Sequence, residues 1–524
     1  MAATKQAEQS QELAAKLWQI ANELRGLMDS FKFKNYILGV MFFRYLSEHT
    51  EKYMDSLLKK DGVTYREALA DEELSEAVRE WSLDYLGYIM EPEHLFSSLI
   101  KKINDNTFSI EDFERAISAL TESTLGQPSE PAFDKLFDDM NLQDKDLGKD
   151  VSTRTKKISA VMQKINDISF DIDDAEVDIL GTSYMILISL FASDAGKKGG
   201  DFFTPACAST LAAKLATYGM ESCKSACDPT AGSGSLLLKV EEELPDKRIG
   251  HYYADELNGS TYNLLRMSLL MHGIPYQKFT TYNEDVVAVD RFYDGDKPLL
   301  FSVQVSNPPF SQHYSASKSF ENDPRYSAAG VIAPKTYEDM MFVEHVVHHM
   351  DADGRAVIIL PHGVLFRGNA EAKIRRYLIE DQNVIDCVVG LPENIFHGTP
   401  IPTIMLVLRR KRNGDSGNIL FIDASKHFKK EKAMNVITDA DIDRVMKAYN
   451  DRKDVAKFAH VASLEEIRKN NYNLNIPRYI DTFEEEEPID LEVVRKSVSE
   501  ARERKQASLT KVNSMLRALG LKEV

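Results

Sequence analysis

From about Ser222 onward the chain alternates short apolar runs of strand length with helical ones, and few architectures accept that pattern. Ser222 to Cys227, Arg248 to Ala254, Phe279 to Tyr282, Leu299 to Val305, Ala356 to Leu360, Val384 to Val389 and Thr403 to Leu408 read as strands. Between them Leu236 to Glu243, Asn263 to His272, Tyr337 to Met350 and Ala370 to Ile379 read as helices. The alternation predicts an α/β fold built on a parallel, doubly wound, Rossmann-like sheet. In such sheets ligands bind beyond the carboxyl ends of the strands, so the residues that follow each run are the ones to inspect.

After the first run comes Asp228-Pro229-Thr230-Ala231-Gly232-Ser233-Gly234-Ser235. Gly232 and Gly234 let the backbone turn tightly against a ligand, but Leu237 stands where a full dinucleotide fingerprint has its third glycine. Asp228 would repel a pyrophosphate and attract a cationic amino acid head, which suits S-adenosylmethionine (AdoMet) better than a dinucleotide. Glu256 follows the second run, 22 residues after Gly234, where an acid binds ribose hydroxyls in this type of sheet. Asp285 follows the third and could take the adenine amino group of the cofactor. The fourth run ends in Asn307-Pro308-Pro309-Phe310. Two prolines stop a strand and present the Asn amide, fixed carbonyls and an aromatic ring at its end. That set suits a planar amine, with the Asn oxygen and a carbonyl accepting its two N–H groups and the ring stacking beside it.

The chain has 524 residues, too long for one core. Residues 1–170 read as a helical N-terminal domain, with one stripe through Leu13, Leu17, Ile20, Leu24, Leu27 and Phe31 and another through Ile37, Met41, Phe42, Tyr45 and Leu46. Residues 171–480 form the catalytic domain. They open with a helix and a glycine-rich turn ending Gly200-Asp201-Phe202-Phe203-Thr204-Pro205, in which Thr204 reads as an N-cap and Pro205 as the first helical residue. Residues 481–524 form a C-terminal helical tail with a heptad stripe suited to docking a partner, set off by Glu484 to Pro488. The polar stretch Ser311 to Thr336 reads as a mobile lid or disorder.

Together these residues resemble a known family. Asp228 to Leu237 and Asn307 to Phe310 look like the two signature motifs of amino-group DNA methyltransferases of the N6-adenine class. Gly200 to Pro205 resembles that class's further AdoMet motif. With the helical N-terminal domain and Asn473 to Tyr479, the chain resembles, over nearly its whole length, the modification (M) subunit of type I restriction-modification systems. Asn283-Glu284-Asp285-Val286 departs from the family's usual Gly-Asp step.

The resemblance implies methyl transfer from AdoMet to adenine N6 in duplex DNA. Asn307, Pro308, Pro309 and Phe310 are then the catalytic residues. Gly200, Asp201, Phe202, Phe203, Thr204, Pro205, Asp228, Ala231, Gly232, Ser233, Gly234, Glu256 and Asp285 are the cofactor-binding ones, and no metal is required. The base must be flipped out of the stack to be reached. The implied partners are a specificity (S) subunit, a restriction (R) subunit with translocase and nuclease, and a second M chain. A GxxxxGK[ST] phosphate loop and a large basic recognition domain are not found in the sequence, so translocation and sequence reading fall to those partners. The net charge of −18 fits a subunit whose partner supplies the grip on DNA. Lys197, Lys198, Arg367, Lys373, Arg375 and Arg376 are candidate phosphate contacts, each weighed against plain solvated surface. A polar N-terminus without a signal core and four cysteines without metal spacing point to a cytoplasmic protein, and the apolar run Ile37 to Phe43 is too short to span a membrane. Two other readings stay open on the residues alone: methylation of a glutamine amide or an RNA amine, and an AdoMet-sensing scaffold without catalysis.

Overall fold

The structure, a computed structural model, describes residues 11–20, 30–168, 177–195, 203–315, 318–396, 399–412, 417–431, 434–481 and 491–522. It divides into two compact units, Met1–Ile480 and Asp481–Val524. Among the described residues no helix is long and apolar enough to cross a membrane. All four cysteines are free.

The first unit is organised on a nine-stranded sheet. Its strands are β1 (Cys223–Asp228), β2 (Ile249–Asp255), β3 (Phe279–Tyr282), β4 (Phe301–Ser306), β5 (Met350–Pro361), β6 (Ile385–Gly390), β7 (Thr403–Arg409), β8 (Asn418–Asp423) and β9 (Ala459–Ser463). They lie in the order β9-β8-β6-β7-β5-β4-β1-β2-β3. Every residue of β6 is buried, as expected of a strand covered on both faces. The predicted sheet is there, but it is not wholly parallel: β7 runs against both β5 and β6, and β9 against β8. The order reverses between β1 and β4, which run parallel, so their carboxyl ends flank a crevice.

The N-terminal residues are helical as the periodicity predicts, with no strand among the described residues 11–168. Leu24, Leu27 and Phe31 lie outside the residues whose side chains are described. Residues 36–47 of the helix Ser30–Leu58 are buried without interruption, so this helix is enclosed on all sides. Inside it Arg44 donates to the Ile168 carbonyl (2.9 Å) and to that of Ile165, closing the end of the helix Val151–Asn166. The helical region and the sheet share one apolar cluster that runs from Leu17 to Ala459. Polar bonds join them too. Tyr45 donates to the Leu270 carbonyl (2.9 Å), and Arg266 to those of Pro131 (3.0 Å) and Asp134 (2.8 Å).

The stretch after Phe310 is not structureless, as its composition suggests. Apart from residues 316–317 it is described, and it is pinned from within. Tyr314 N–H donates to the Lys335 carbonyl (3.2 Å) and Glu338 N–H to that of Gln312 (3.2 Å), closing the base of the loop. At its far end Arg325, 4% exposed, donates to the carbonyls of Val286 (2.6 Å) and Val287 (3.1 Å) and pairs with Asp323. A polar sequence hid this, because the buried anchors, Phe320, Arg325, Tyr326 and Ala333, are scattered through the stretch without a helical or strand period.

The second unit is the helix Leu491–Ala518. Val494, Val498, Val512, Met515 and Leu519 of its heptad stripe are all exposed. The charged break Glu484 to Pro488 lies outside the described residues.

Candidate active site

The ends of β1, β2 and β4 are tied to one another directly. Thr230, in the loop after β1, bonds through its hydroxyl to that of Ser306 at the end of β4 (2.7 Å). Its N–H donates to Asp228 (3.0 Å). Gly232 N–H donates to Glu256 (2.9 Å), whose other oxygen accepts from Asn258 N–H (2.8 Å). Ala231 N–H reaches the Asp255 carbonyl (2.9 Å). Gly232 and Gly234 adopt φ of 57° and 85°, the left-handed region that favours glycine. A Cβ on Gly234 would stand 2.9 Å from Leu265 Cδ1.

Asn307 follows β4. Its Nδ2 donates to the Thr204 hydroxyl (3.0 Å), while its Oδ1 is buried without a partner. Thr204 thereby departs from the role read in the sequence. Pro205 is the N-cap of the helix Ala206–Thr217, no side chain caps it, and the Thr204 hydroxyl turns to Asn307 instead. Pro308 is buried, Pro309 exposed and Phe310 half-buried. The Phe310 ring meets Phe396 edge to face, with centroids 5.7 Å apart. Ser311, with φ of 54°, donates its N–H to Asp339 (2.8 Å) and fixes the exit of the loop.

Among the described residues the acids at this edge form no ion pair. Burial pushes Asp228 up to about 8, with the charge of Glu256 adding to it. Burial likewise raises Asp255 to about 7, and Glu256 is shifted upward for the same reason. Asp255 Oδ2 and Ser233 Oγ are buried without partners, as is Asn307 Oδ1. Orphaned polar atoms at three strand ends are a set that a polar ligand would satisfy. A cation fits the acids.

Other expected residues fall elsewhere. Gly200, Asp201 and Phe202 lie outside the described residues, as do Lys197 and Lys198. Phe203 is buried in the core. Asp285 is exposed and caps its own turn, accepting from Val287 N–H (3.1 Å). Arg375 is not surface: it is 3% exposed and donates to the Val364 carbonyl (3.0 Å). Arg367 is committed to Asp339 (2.9 Å) and Glu371 (3.1 Å). Among the described residues, Asp290, His345 and His349 are close enough to hold a metal. The Arg325 guanidinium already stands against them, 3.6 Å from Asp290 and 3.2 Å from His345.

Comparison with known proteins fits this geometry. Residues 175–488 match the family described as N-6 DNA Methylase. The chain belongs to that family. Residues 13–165 match the HsdM N-terminal domain. The type I restriction enzyme MpnII methylase subunit of Mycoplasma pneumoniae is 32% identical, covering 98% of this chain and 97% of its own. The MjaIX methylase subunit of Methanocaldococcus jannaschii is 26% identical over 98% of this chain and 92% of its own. The crystal structure of the type I restriction-modification methyltransferase subunit from Streptococcus thermophilus matches with a TM-score of 0.82 at 37% identity, covering 90% of this chain and 100% of that one.

For a member of the N-6 DNA methylase family, three residues at this edge escaped the sequence reading. Asp255 was masked by Glu256 beside it, and only its burial reveals it. Leu257, directly after Glu256, is 65% exposed. Phe396 is separated from Phe310 by 86 residues and carries no local signal.

Proposed function

We propose that this chain is the modification subunit of a type I restriction-modification complex and transfers a methyl group from AdoMet to N6 of adenine in duplex DNA. The observation that carries this reading is the buried, unpartnered Oδ1 of Asn307 at the end of β4. An exocyclic amine brings the N–H that this oxygen lacks, and the Pro308 carbonyl is the second acceptor. Accepting both N–H hydrogen bonds raises the electron density on nitrogen and aims its lone pair at the methyl. The C–S bond breaks as the N–C bond forms, S-adenosylhomocysteine leaves as the neutral thioether, and the surplus proton on nitrogen passes to water. Phe310, held by Phe396, supplies the face on which the flipped base stacks. AdoMet supplies an electrophilic methyl on its sulfonium. The chain's own work is orientation, an effect that can contribute several kcal/mol.

Asp228, Glu256 and the glycine turn would hold the cofactor, with Leu257 against its base. The exposed stripe of the C-terminal helix suits docking of a partner chain, in keeping with relatives named as subunits of type I restriction enzymes. Transfer of labelled methyl from AdoMet to duplex DNA by the chain with its co-purifying partner tests the function. N6-methyladenine is the expected product, and label found only in protein or RNA overturns the reading.

Asp228 adds a pH dependence. Below about 8 its carboxyl holds a proton, which a cationic head must displace. AdoMet affinity therefore rises as pH rises toward that value, by up to tenfold per unit. Asp228→Asn flattens the slope and leaves the smaller part owed to Asp255 and Glu256, as calorimetric titration at several pH values would record.

A further inference from the structure

An Asn amide turns easily about its last torsion, and its two ends are opposite in hydrogen bonding. An amine is oriented only if the oxygen faces it. With the nitrogen inward, donor would meet donor and no bond would form. Something must therefore set which end of Asn307 points into the site, and one contact is in position to do so. Asn307 Nδ2 donates to the Thr204 hydroxyl at 3.0 Å, leaving Oδ1 buried and unpartnered.

Thr204 is a firm anchor for this bond. It is 7% exposed and followed by Pro205, which fixes the backbone at the mouth of the helix Ala206–Thr217. Its carbonyl accepts from the hydroxyl of Ser209, 1% exposed, in the first turns of that helix (3.4 Å). Its own hydroxyl is not spent on capping the helix.

We infer that Thr204 is a positioning residue for methyl transfer, whose hydroxyl holds the Asn307 amide with its oxygen toward the target amine, and is not a cofactor ligand. This rests on the amine-transfer reading above. The two roles separate in kinetics. A cofactor ligand sets AdoMet affinity, whereas a residue acting through Asn307 sets the rate of the bound complex.

The test uses the chain with its co-purifying partner. Thr204→Val removes the hydroxyl and keeps the shape. At saturating AdoMet its kcat is expected to fall about 10- to 100-fold, the scale of a misplaced reacting group. AdoMet affinity, measured by calorimetry, should stay within about twofold of wild type, which also certifies the fold of the site. Thr204→Ser restores the rate. Thr204→Ala, which adds no methyl group in place of the hydroxyl, serves if the valine does not fold. An unchanged kcat, or a loss confined to AdoMet affinity, overturns the inference. Failure of the wild-type complex to form N6-methyladenine would instead sink the amine-transfer reading, so the two failures are distinct.

Discussion

Asn307→Ala lowers methyl transfer by the assembled complex by about 10²–10³-fold at saturating substrates, the range seen when one preorganised hydrogen-bonding group is taken from a reacting centre. AdoMet and DNA affinity should change little, because the Asn307 side chain is bonded to Thr204 and not to the loop after β1. The fold should tolerate the change. The amide makes one hydrogen bond within the protein, and its oxygen already lacks a partner. Asn307→Asp is the informative companion. It keeps an inward acceptor, and the Thr204 hydroxyl can turn to donate to its second oxygen. Its loss should be smaller than that of alanine. Steady-state rates with labelled AdoMet check both, and full activity in the alanine variant would remove Asn307 from the chemistry.

Arg325→Ala destabilises the first unit by about 3–5 kcal/mol, the cost of deleting one member of a buried charge network. The guanidinium serves Asp323, the carbonyls of Val286 and Val287, and the ring nitrogen of His345, and it stands 3.6 Å from Asp290. Asp290 lies far below the usual carboxylate range through its bond to His349 and the charges around it, Arg325 among them. Removing the arginine takes the donor from the Val286 carbonyl and leaves a buried carboxylate short of positive charge, while the Val287 carbonyl keeps the Tyr326 hydroxyl (3.1 Å). A lowered urea midpoint for the first unfolding transition checks this, together with faster proteolysis within residues 318–336. Because the loop begins at Ser311, directly after the Phe310 ring proposed to stack on the base, partial loss of activity should accompany the loss of stability.

The repeating pattern, the strand ends and the Asn-Pro-Pro-Phe turn were legible because each depends on neighbours a few residues apart. Phe279 to Tyr282 is a strand within the bounds its run predicts. Strand direction was not legible: an apolar run such as Thr403 to Leu408 reads the same in β7 whichever way it lies. Strands β8 and β9 were missed altogether, beyond the end of the recognised alternation. Within the candidate site, the expected residues that the structure brings together are those that follow a strand. The Thr204–Asn307 bond spans 103 positions and the Phe310–Phe396 contact joins residues on different loops, so neither leaves a mark on local spacing. Arg325 misled in the opposite sense, since a buried arginine looks like surface in a polar stretch.

The enclosed helix Ser30–Leu58 also sets an order on biosynthesis. Its residues 36–47 are covered in part by the helix Gly259–Met271, to which Tyr45 is bonded at Leu270. A ribosome delivers the first helix long before the second. The nascent chain therefore carries an uncovered apolar face until Met271 has emerged, and in that interval it depends on chaperones or on speed to escape aggregation.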